Sequence, residues 1–445
     1  MIEEKIHFIL KRLKDQGFQA YLAGGAVRDL FLHRKSNDTD ILTNAAISEI
    51  ESVFSGQRIR IVGKAFPICI INGIEVSSGR AGTGTDGFPE SDLAKRDFTI
   101  NAMAFDPVSN LIIDPFNGRK DIEDRVIRFT REPLKRIEED PVRMVRACRF
   151  LALVKGSFSL STLDALHACR DLLAMGVAKE RISHEIMKAM MLDKPSLFFR
   201  ALQQTGLLPF IFPSLDRCFD LDGGIHHQET VFEHCMLVGD ALPSRLPALR
   251  LAGFLHDTGK FDAATIENGN LTFAGHENHT QEVVKDLTGL RFAAKDISYI
   301  NALIKAHMRP LTPETTPRAA RRLLSMLNQH GLSYQDFMRM RIADKKGNLA
   351  KKPYTISEIR FRLKKLFDEI HRSCAFNIND LDISGHEISD LLNITPSPEI
   401  GRLKEMLFEK VLDDPLLNQN KELKKLCLSL AGSISCNKNR PLTPG

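Results

Sequence analysis

The sequence of 445 residues contains no tryptophan and no Cys-x-x-Cys pair. Its eight cysteines are scattered along the chain, which argues against a disulfide framework or a zinc knuckle and is typical of a reducing cytoplasm. No window approaches the roughly 18 uncharged apolar residues that a membrane-spanning helix needs. The start, MIEEKIHFILKRLKDQG, is amphipathic and charged, unlike a signal peptide. We therefore expect a cytoplasmic protein with no membrane partner.

Composition and hydrophobic pattern predict an α+β chain. Hydrophobic residues make up 43% of it, enough for several domains with cores, and the net charge of +5 permits a polyanionic partner. Short β-branched segments with a turn at Asn72-Gly73 predict a small mixed β-sheet in the first 130 or so residues. FTINAMAFD and NLIIDPF predict two further strands of this head. From about Lys135 onward, long helical segments separated by short turns predict an all-α remainder.

A glycine pair and two aspartates lie close together in the segment YLAGGAVRDLFLHRKSNDTDILT. Gly24 and Gly25 lie between a predicted strand and a helix, where open backbone N–H groups and Arg28 suit a triphosphate. Asp38 and Asp40 are two residues apart on a predicted strand, so their carboxylates point the same way. Two such carboxylates repel each other unless a cation lies between them, and oxygen ligands of this kind suit Mg²⁺. The combination indicates nucleotidyl transfer, with both aspartates as catalytic metal ligands.

The motifs GGAVRD and NDTD resemble the polymerase β-like head of class II tRNA nucleotidyltransferases (CCA-adding enzymes) and bacterial poly(A) polymerases. The match continues in AKRDFTINAMAFD, and the resemblance implies that Arg96, Asp97 and Asn101 bind the nucleotide. Arg96 and Asp97 would contact its phosphate or ribose and link the head to the neck. Lys95 stands where the family usually has arginine; it keeps the charge but lacks the bidentate fork.

A second motif, RIEEDPVRMVRACRF, predicts a base-reading helix that starts near Glu139. Asp140 and Arg143 are three residues apart on it and share a face. Aspartate accepts a hydrogen bond from the amino group of cytosine or adenine, while arginine donates to the adjacent ring nitrogen. Guanine and uracil present the opposite order and leave buried groups unpaired, at about 1–3 kcal/mol per group. The family resemblance implies the same role, with Glu139 orienting the pair, and adds Arg146 to the nucleotide-binding residues.

Three other segments resemble family elements. DPFNGRKDI resembles the flexible element associated with the switch from C to A, and ERISHE resembles a motif that stabilises the neck. The connection over residues 75–96 is shorter than is typical of enzymes that add all three nucleotides and resembles that of enzymes that add only C-C. The product, CCA or CC, therefore stays open. VGKAFPICI lacks the extra basic residues usual in poly(A) polymerases, which disfavours that activity without excluding it.

A third set of residues is spread over the helical remainder. The segments around HHQETVFEH, LAGFLHDTGK, AGHENHT, KAHMRP and RIADKKG contain imidazoles and carboxylates that can converge on a divalent ion in a helical bundle. The series resembles the HD-domain superfamily of metal-dependent phosphohydrolases. That resemblance implies a second divalent metal with Lys260 as a phosphate-side cation, and the implied ligands are His234, His256, Asp257 and Asp344.

Basic residues and a C-terminal signature complete the pattern. Arg318, Arg321 and Arg322 share roughly one helix face and are candidates for RNA binding, against the alternative of a solvated face. LDISGHEISDLLNITPSPEIGRLKEMLFEK resembles the family's C-terminal signature. We predict a nucleotidyltransferase head (1–132), a helical neck for base recognition (133–215), an HD domain (216–350), a helical tRNA-binding body (351–435) and a disordered tail (436–445).

The sequence thus predicts a tRNA nucleotidyltransferase that uses CTP and ATP, with Mg²⁺ as cofactor and tRNA as partner. Three alternatives stay open: a poly(A) polymerase, an HD phosphohydrolase with a nucleotide-sensing head, and a non-catalytic RNA-binding protein. The last is disfavoured because both Asp38 and Asp40 are present. The oligomeric state is not predicted.

Overall fold

The structure, a computed structural model, describes residues 2–35, 39–63, 67–79, 87–312, 314–371 and 375–437, with the backbone alone for residues 2, 3 and 432–437. The chain divides into two compact units, Met1–Ile211 and Phe212–Gly445. None of the helices in the described ranges is long and apolar enough to cross a membrane. The predicted boundaries of the head, neck, HD domain and body stay predictions.

A mixed seven-stranded sheet lies in the first unit. Its strands are β1 (Ala20–Ala23), β2 (Asp40–Thr43), β3 (Ile59–Val62), β4 (Ile68–Ile71), β5 (Ile74–Ser78), β6 (Ala104–Asp106) and β7 (Leu111–Ile113). They follow the order β3-β4-β5-β2-β1-β6-β7. Only β2 and β5 pair in parallel, and the other neighbours are antiparallel. The predicted mixed sheet is confirmed.

Helices surround this sheet and continue beyond it within the first unit. They are α1 (Ile2–Asp15), α2 (Gly25–Phe31), α3 (Ile47–Val53), α4 (Glu90–Leu93), α5 (Gly118–Glu123), α6 (Pro133–Glu139), α7 (Val142–Val154), α8 (Leu160–Cys169), α9 (Lys179–Met190), α10 (Ser196–Gln204) and α11 (Leu208–Ile211). A short parallel pair, β8 (Val126–Ile127) and β9 (Ser157–Phe158), lies among them.

Alternation along β2 separates the two faces of the sheet. Ile41 is fully buried in an apolar core together with Val76 of β5 and residues of α1 and α3. Leu42 belongs to a second core with Ala102 and Ala104 on the opposite face. Because successive side chains of a strand point to opposite faces, Asp40 lies on the face of Leu42. The catalytic candidate therefore sits at the end of a strand that is held from both sides.

Local turn chemistry decides two features of the head. Asn72 and Gly73 both have positive φ, 52° and 88°, and join β4 to β5 as the Asn-Gly pair predicts. The strand predicted for FTINAMAFD is wrong in its first part, since residues 99–101 form a 3₁₀ turn and only Ala104–Asp106 is a strand. The reason is Asp97, whose Oδ1 accepts hydrogen bonds from the backbone N–H of Phe98 and from Asn101 Nδ2.

Among its described residues, the second unit consists of helices and their connections together with one β-hairpin. Its helices are α12 (Pro213–Asp216), α13 (Val231–Ala241), α14 (Pro247–Leu255), α15 (Lys260–Ala263), α16 (Gln281–Gly289), α17 (Ala294–Ala306), α18 (Pro317–Gln329), α19 (Tyr334–Gly347), α20 (Ile356–His371), α21 (Gly385–Leu392), α22 (Pro398–Asp413) and α23 (Asn420–Asn437). The hairpin pairs β10 (Thr265–Glu267) with β11 (Asn270–Thr272). It corrects the prediction of helices throughout, and its signal was the Asn268-Gly269 turn, with φ of 50° and 79°.

Candidate active site and candidate metal centre

A polar cavity of about 380 Å³ lies in the first unit and collects most of the residues predicted to bind nucleotide. Four lining residues were not predicted, namely Arg149, Phe150, Arg181 and Lys188. The predicted residues that line the cavity are Gly25, Arg28, Asp40, Arg96, Asp97, Asn101, Asp140, Arg143 and Arg146. Their roles as ligands stay predictions, but residues more than a hundred positions apart in sequence share one cavity.

The acidic wall of the cavity comes from β2. Asp40 is partly exposed, and its Oδ2 lies 4.0 Å from Nη1 of Arg96. Asp38, the other predicted metal ligand, lies outside the described residues. Glu75 is directly opposite Asp40 in the parallel register of β2 and β5, and it is exposed. Directly opposed residues project to one face, so Glu75 is a third carboxylate beside Asp40 that the sequence analysis missed. Its position between the apolar residues Ile74 and Val76, in a strand whose side chains alternate between faces, was the available signal.

Two features require glycine at position 24, its backbone conformation and the close approach of the Arg96 side chain. Its φ and ψ are 66° and −126°, a conformation that side chains rarely adopt. A Cβ atom there would lie 2.1 Å from Nη1 of Arg96. The glycine therefore leaves the space through which the Arg96 guanidinium reaches the side of Asp40.

Replacing Gly24 with alanine is expected to reduce nucleotide addition at least tenfold and to cost about 1–3 kcal/mol of stability through backbone strain. The loss of activity follows because Arg96 must move away from Asp40. Gly17→Ala is the matched control, since Gly17 also has positive φ (83°) but open space around its Cβ position. Thermal unfolding and addition kinetics check the prediction, and wild-type rates for Gly24→Ala would contradict it.

A network around Asp97 joins the head to helix α7. Nε of Arg146 donates to Oδ2 of Asp97 at 2.7 Å, and Nδ2 of Asn101 donates to Oδ1 at 3.0 Å. Nη1 of Arg28 in turn donates to Oδ1 of Asn101 at 2.8 Å. Burial by itself would raise the pKa of Asp97, but Arg146 and the hydrogen bonds hold it below its ordinary value. The residues predicted to bind the nucleotide thus hydrogen-bond to one another as well as lining the cavity.

The predicted base readers lie where α6 ends and α7 begins. Asp140 follows α6, and α7 begins at Val142, so the base-reading helix starts later than the predicted Glu139. Nη1 of Arg143 donates to Oε2 of Glu139 at 2.7 Å and to the carbonyl oxygen of Arg136 at 2.6 Å. Glu139 therefore contacts Arg143, while the orienting role that the family resemblance implies for it stays a prediction.

Helix α9 contains the ERISHE segment, for which the sequence suggested only a structural role. The helix also contributes side chains to the cavity. Arg181 donates two hydrogen bonds to Asp140, from Nη1 to Oδ1 at 2.9 Å and from Nη2 to Oδ2 at 2.7 Å. One turn further, buried Glu185 accepts from Nε of Arg149 and from Nη1 of Arg146. The spacing of Arg143, Arg146 and Arg149 by three residues was a signal for one basic helix face.

A buried cluster of imidazoles and carboxylates lies in the second unit. The structure brings together His234 on α13, His256 and Asp257 after α14, and Asp344 on α19. Nε2 of His234 is 3.2 Å from Oδ1 of Asp344 and 3.6 Å from Oδ2 of Asp257. Nε2 of His256 is 3.3 Å from Oδ1 of Asp257. These are the four predicted metal ligands, and their ligand role stays a prediction.

Hydrogen bonds set the direction of three histidine rings in this cluster. In each ring, Nδ1 contacts a backbone carbonyl oxygen, which can only accept a hydrogen bond. Nδ1 therefore carries the hydrogen, and a neutral ring presents a lone pair at Nε2. Nε2 of His276 and Nε2 of His307 are 3.3 Å apart, an arrangement that suits a cation between them. The Nδ1 atoms donate to carbonyls three residues upstream: His256 to Gly253 at 2.9 Å, His276 to Phe273 at 2.9 Å and His307 to Ile304 at 2.6 Å.

Unpaired buried nitrogens show that the cluster suits a divalent metal ion. Both ring nitrogens of His234 and Nε2 of His256 are buried and make no hydrogen bond within the described ranges. Yet both His234 nitrogens lie 3.2 Å from a carboxylate oxygen, of Glu229 and Asp344. Glu229 was missed by the sequence analysis, as was His227, whose Nδ1 lies 2.7 Å from the same carboxylate. Their signal was a His-x-Glu directly before α13.

A cavity of about 660 Å³ opens onto this cluster. Nζ of Lys260 lies 2.8 Å from Oδ2 of Asp257 and faces the cavity. Burial by itself would lower the pKa of Lys260, but Asp257 raises it, so the amine stays charged. The other cations of the wall are Arg341, Lys345 and Lys351, and its aromatic side chains are Phe273 and Tyr354. Cations beside a metal cluster suit a phosphate ester.

Metal affinity of this cluster is expected to rise by about tenfold per pH unit between roughly pH 6 and pH 9. Burial by itself would lower the pKa of His234, but the carboxylates of Asp344 and Glu229 raise it to about 9. The proton on metal-free His234 stabilises the fold fully below the ordinary pKa of 6.5, and this contribution is lost as the pH rises through 9. A metal ion must displace that proton, whereas His256, with its pKa lowered to about 3 by burial, is already neutral.

Calorimetric metal titrations in buffers of different ionisation enthalpy measure both the affinity and the released proton. A metal affinity that does not change between roughly pH 6 and pH 9 would contradict the prediction.

The three arginines predicted to bind RNA lie on α18 against α22. Arg321 is buried and donates to the carbonyl oxygens of Leu412 and Asp413, each at 2.7 Å, and to Glu369. It thereby satisfies carbonyl groups at the end of α22. Arg318 and Arg322 are about half exposed and pair with Asp413. RNA contact stays a prediction for all three, beside this packing role.

Three segments of the chain match family descriptions. Residues 20–128 match the poly A polymerase head domain, and residues 157–219 match the probable RNA and SrmB-binding site of polymerase A. Residues 224–351 match the HD domain. The first contains Asp40 and Arg96 of the nucleotide cavity, and the third contains the four predicted metal ligands of the histidine cluster.

The chain is similar to named relatives over much of its length. It is 39% identical over 207 residues to the CC-adding tRNA nucleotidyltransferase of Halalkalibacterium halodurans, a match that covers 46% of this chain and about half (52%) of that protein. It is 34% identical over 288 residues to the multifunctional CCA protein of Pseudomonas fluorescens, which covers 60% of this chain and 68% of that protein.

The fold also matches a solved structure. The crystal structure of the Bacillus stearothermophilus CCA-adding enzyme in complex with CTP superposes with a TM-score of 0.69 and 22% identity, covering 98% of both chains. At that identity the likeness shows the fold. The similarity to the Pseudomonas protein shows that the chain belongs to the family of CCA-adding tRNA nucleotidyltransferases and bacterial poly(A) polymerases.

Proposed function

We propose that the unit Met1–Ile211 adds nucleotides from CTP and ATP to the 3′ end of tRNA without a nucleic-acid template. The observation that carries this proposal is one cavity with Asp40 and Arg96 on one wall and Asp140 and Arg143 on another. The first pair suits the triphosphate and its metal ions, and the second suits a nucleobase. A cavity of about 380 Å³ is of the size expected for a small-molecule ligand.

The reaction joins two atoms and releases one group. The terminal hydroxyl oxygen of the tRNA attacks the α-phosphate, its proton is lost, and pyrophosphate leaves. Asp40, with Glu75 opposite it, and the predicted ligand Asp38 would hold Mg²⁺, which when bound lowers the pKa of the attacking hydroxyl and neutralises the leaving group. Arg96 orients the triphosphate near Asp40.

Base choice follows from hydrogen-bond direction. The Asp140 carboxylate accepts from the amino group of cytosine or adenine, and Arg143 donates to the adjacent ring nitrogen. Among the described residues, both hydrogen bonds of the Arg143 side chain come from Nη1, which leaves Nε and Nη2 for the base. Guanine and uracil present donor and acceptor in the wrong order and would leave buried groups unpaired.

The assay that tests this function uses tRNA lacking its 3′ end, Mg²⁺ and each nucleoside triphosphate singly and in pairs. Addition of C-C-A, or of C-C alone, supports the proposal and decides which product the short connection over residues 75–96 permits. Long A tails would replace it with poly(A) polymerase activity. No incorporation, with an EDTA-treated sample as the baseline, would overturn it.

A second activity is favoured by the histidine cluster of the other unit. We infer that it holds a divalent metal ion and hydrolyses a phosphate ester, with Lys260 at the phosphate. The buried ring nitrogens of His234 and His256, which lie 3.2–3.3 Å from carboxylate oxygens, support this inference. Hydrolysis of a 2′,3′-cyclic end after metal loading, followed as ring opening to a phosphomonoester, tests it, and a metal-loaded protein without hydrolysis would leave the cluster a structural site.

The remaining inferences concern location and organisation. We infer a cytoplasmic protein because six cysteines in the described ranges are buried free thiols. The predicted head, neck, HD domain and body are proposed as its functional divisions, and an RNA-contacting role is proposed for Arg318 and Arg322.

A further inference from the structure

We propose that Arg181 is a specificity-determining positioning residue, which holds the carboxylate of Asp140 so that one oxygen faces the nucleobase. The proposal deepens the proposed function and rests on it, because it concerns how Asp140 reads a base. It assigns a role in nucleotide choice to a helix, α9, whose sequence motif suggested a structural role only.

The hydrogen bonds of Asp140 divide its two oxygens. Oδ1 accepts from Nη1 of Arg181 at 2.9 Å and from the backbone N–H of Val142 at 3.3 Å. Oδ2 accepts from Nη2 of Arg181 at 2.7 Å. A carboxylate oxygen has two lone-pair sites, so Oδ1 is filled and Oδ2 keeps one acceptor site. The amino group of cytosine or adenine is therefore expected at Oδ2.

The two-pronged contact also fixes the plane of the carboxylate. Arginine presents two parallel N–H groups in a rigid fork, so the carboxylate cannot rotate without breaking both bonds. The side chains of the two base readers are held by different partners, Asp140 by Arg181 and Arg143 by Glu139. Both readers line the cavity, so these separate contacts keep them available to a base.

Arg181 is itself placed by a buried contact one turn away. Glu185 is 5% exposed, and it accepts from Arg149 and Arg146 of the base-reading helix. Residues four apart share a helix face, so the buried contacts of Glu185 fix the position of Arg181 opposite Asp140. The Arg181 side chain, by contrast, is 55% exposed. An exposed ion pair contributes little to folding, so its removal is expected to change nucleotide choice without unfolding the unit.

The test compares the full-length protein with Arg181→Gln and Arg181→Lys. Arg181→Gln is expected to lower kcat/KM for CTP and ATP about ten- to a hundredfold, mostly through KM, and to reduce the preference for CTP over UTP by a similar factor. Arg181→Lys keeps the charge but not the fork, so it should rescue part of the binding and little of the preference. Lys135→Gln, which removes an exposed cation of α6, is the matched control and should match the wild type.

Measuring equilibrium binding of the four nucleoside triphosphates tests the role of Arg181 independently of nucleotide addition. If the wild-type protein binds CTP and ATP selectively but adds nothing to tRNA, the proposed function is overturned. The binding data for the Arg181 variants then still test the positioning role. Equal losses for all four nucleotides in Arg181→Gln, or an unchanged preference, would overturn the positioning role. Wild-type binding without any preference among the four would overturn the positioning role, while the addition assay alone decides the proposed function.

Discussion

Replacing Asp40 with asparagine is expected to lower the rate of nucleotide addition by about a thousandfold or more. The substitution keeps the shape of the side chain but removes the negative charge at the end of β2 that would hold a divalent cation. A bound metal ion contributes several kcal/mol of charge stabilisation in such a reaction, and each 1.4 kcal/mol corresponds to a factor of ten in rate. Single-turnover addition of C to truncated tRNA measures the effect.

Two controls sharpen this prediction. Asp124→Asn removes an exposed carboxylate of the same unit, 54% exposed beside Lys120, and should leave addition unchanged. CTP binding measured without metal should survive in Asp40→Asn, because the base readers lie elsewhere, Asp140 between α6 and α7 and Arg143 on α7. A variant that keeps more than about a tenth of the wild-type rate would remove Asp40 from the catalytic centre. Glu75→Gln should show a smaller loss, since Glu75 stands beside Asp40 and is exposed.

Replacing Asp257 with asparagine is expected to have the largest effect on the second unit. Its Oδ1 lies 3.1–3.4 Å from the Nε2 atoms of three histidines, and its Oδ2 lies 2.8 Å from Nζ of Lys260. Loss of this charge should weaken metal binding at least about a hundredfold and abolish metal-dependent hydrolysis of the phosphate ester. It also leaves the buried Lys260 ammonium without its partner, which typically costs about 3–5 kcal/mol of stability.

A double variant separates the two consequences. Asp257→Asn combined with Lys260→Met removes both buried charges, so part of the lost stability should return while metal binding stays absent. Metal content of the purified protein and thermal unfolding measure the two effects independently. Glu282→Gln, a substitution of a 40% exposed carboxylate on α16, is the control for charge alone. Metal content equal to that of the wild type in Asp257→Asn would refute the ligand assignment.

Local sequence determined the chemistry that each segment carries. Gly24-Gly25, the aspartates of NDTD and the His256-Asp257 pair are short-range patterns, since glycine conformations, strand alternation and turn residues act over a few positions. The Asn72-Gly73 turn, the mixed sheet and the helical remainder follow from the same local physics. The hairpin at Asn268-Gly269 had an equally local signal, which the surrounding helical pattern outweighed.

The tertiary structure alone decided which partners those residues meet. Arg181 and Asp140 are 41 residues apart and Arg96 and Gly24 are 72 apart, so no local periodicity links them. Arg321 has the spacing of an exposed basic face, yet it is buried because the end of α22 offers it unpaired carbonyl oxygens. Sequence by itself thus determined that the chain carries groups for phosphate, metal and base. Packing of distant helices decided how those groups are directed, because the direction of a side chain depends on the partner that holds it.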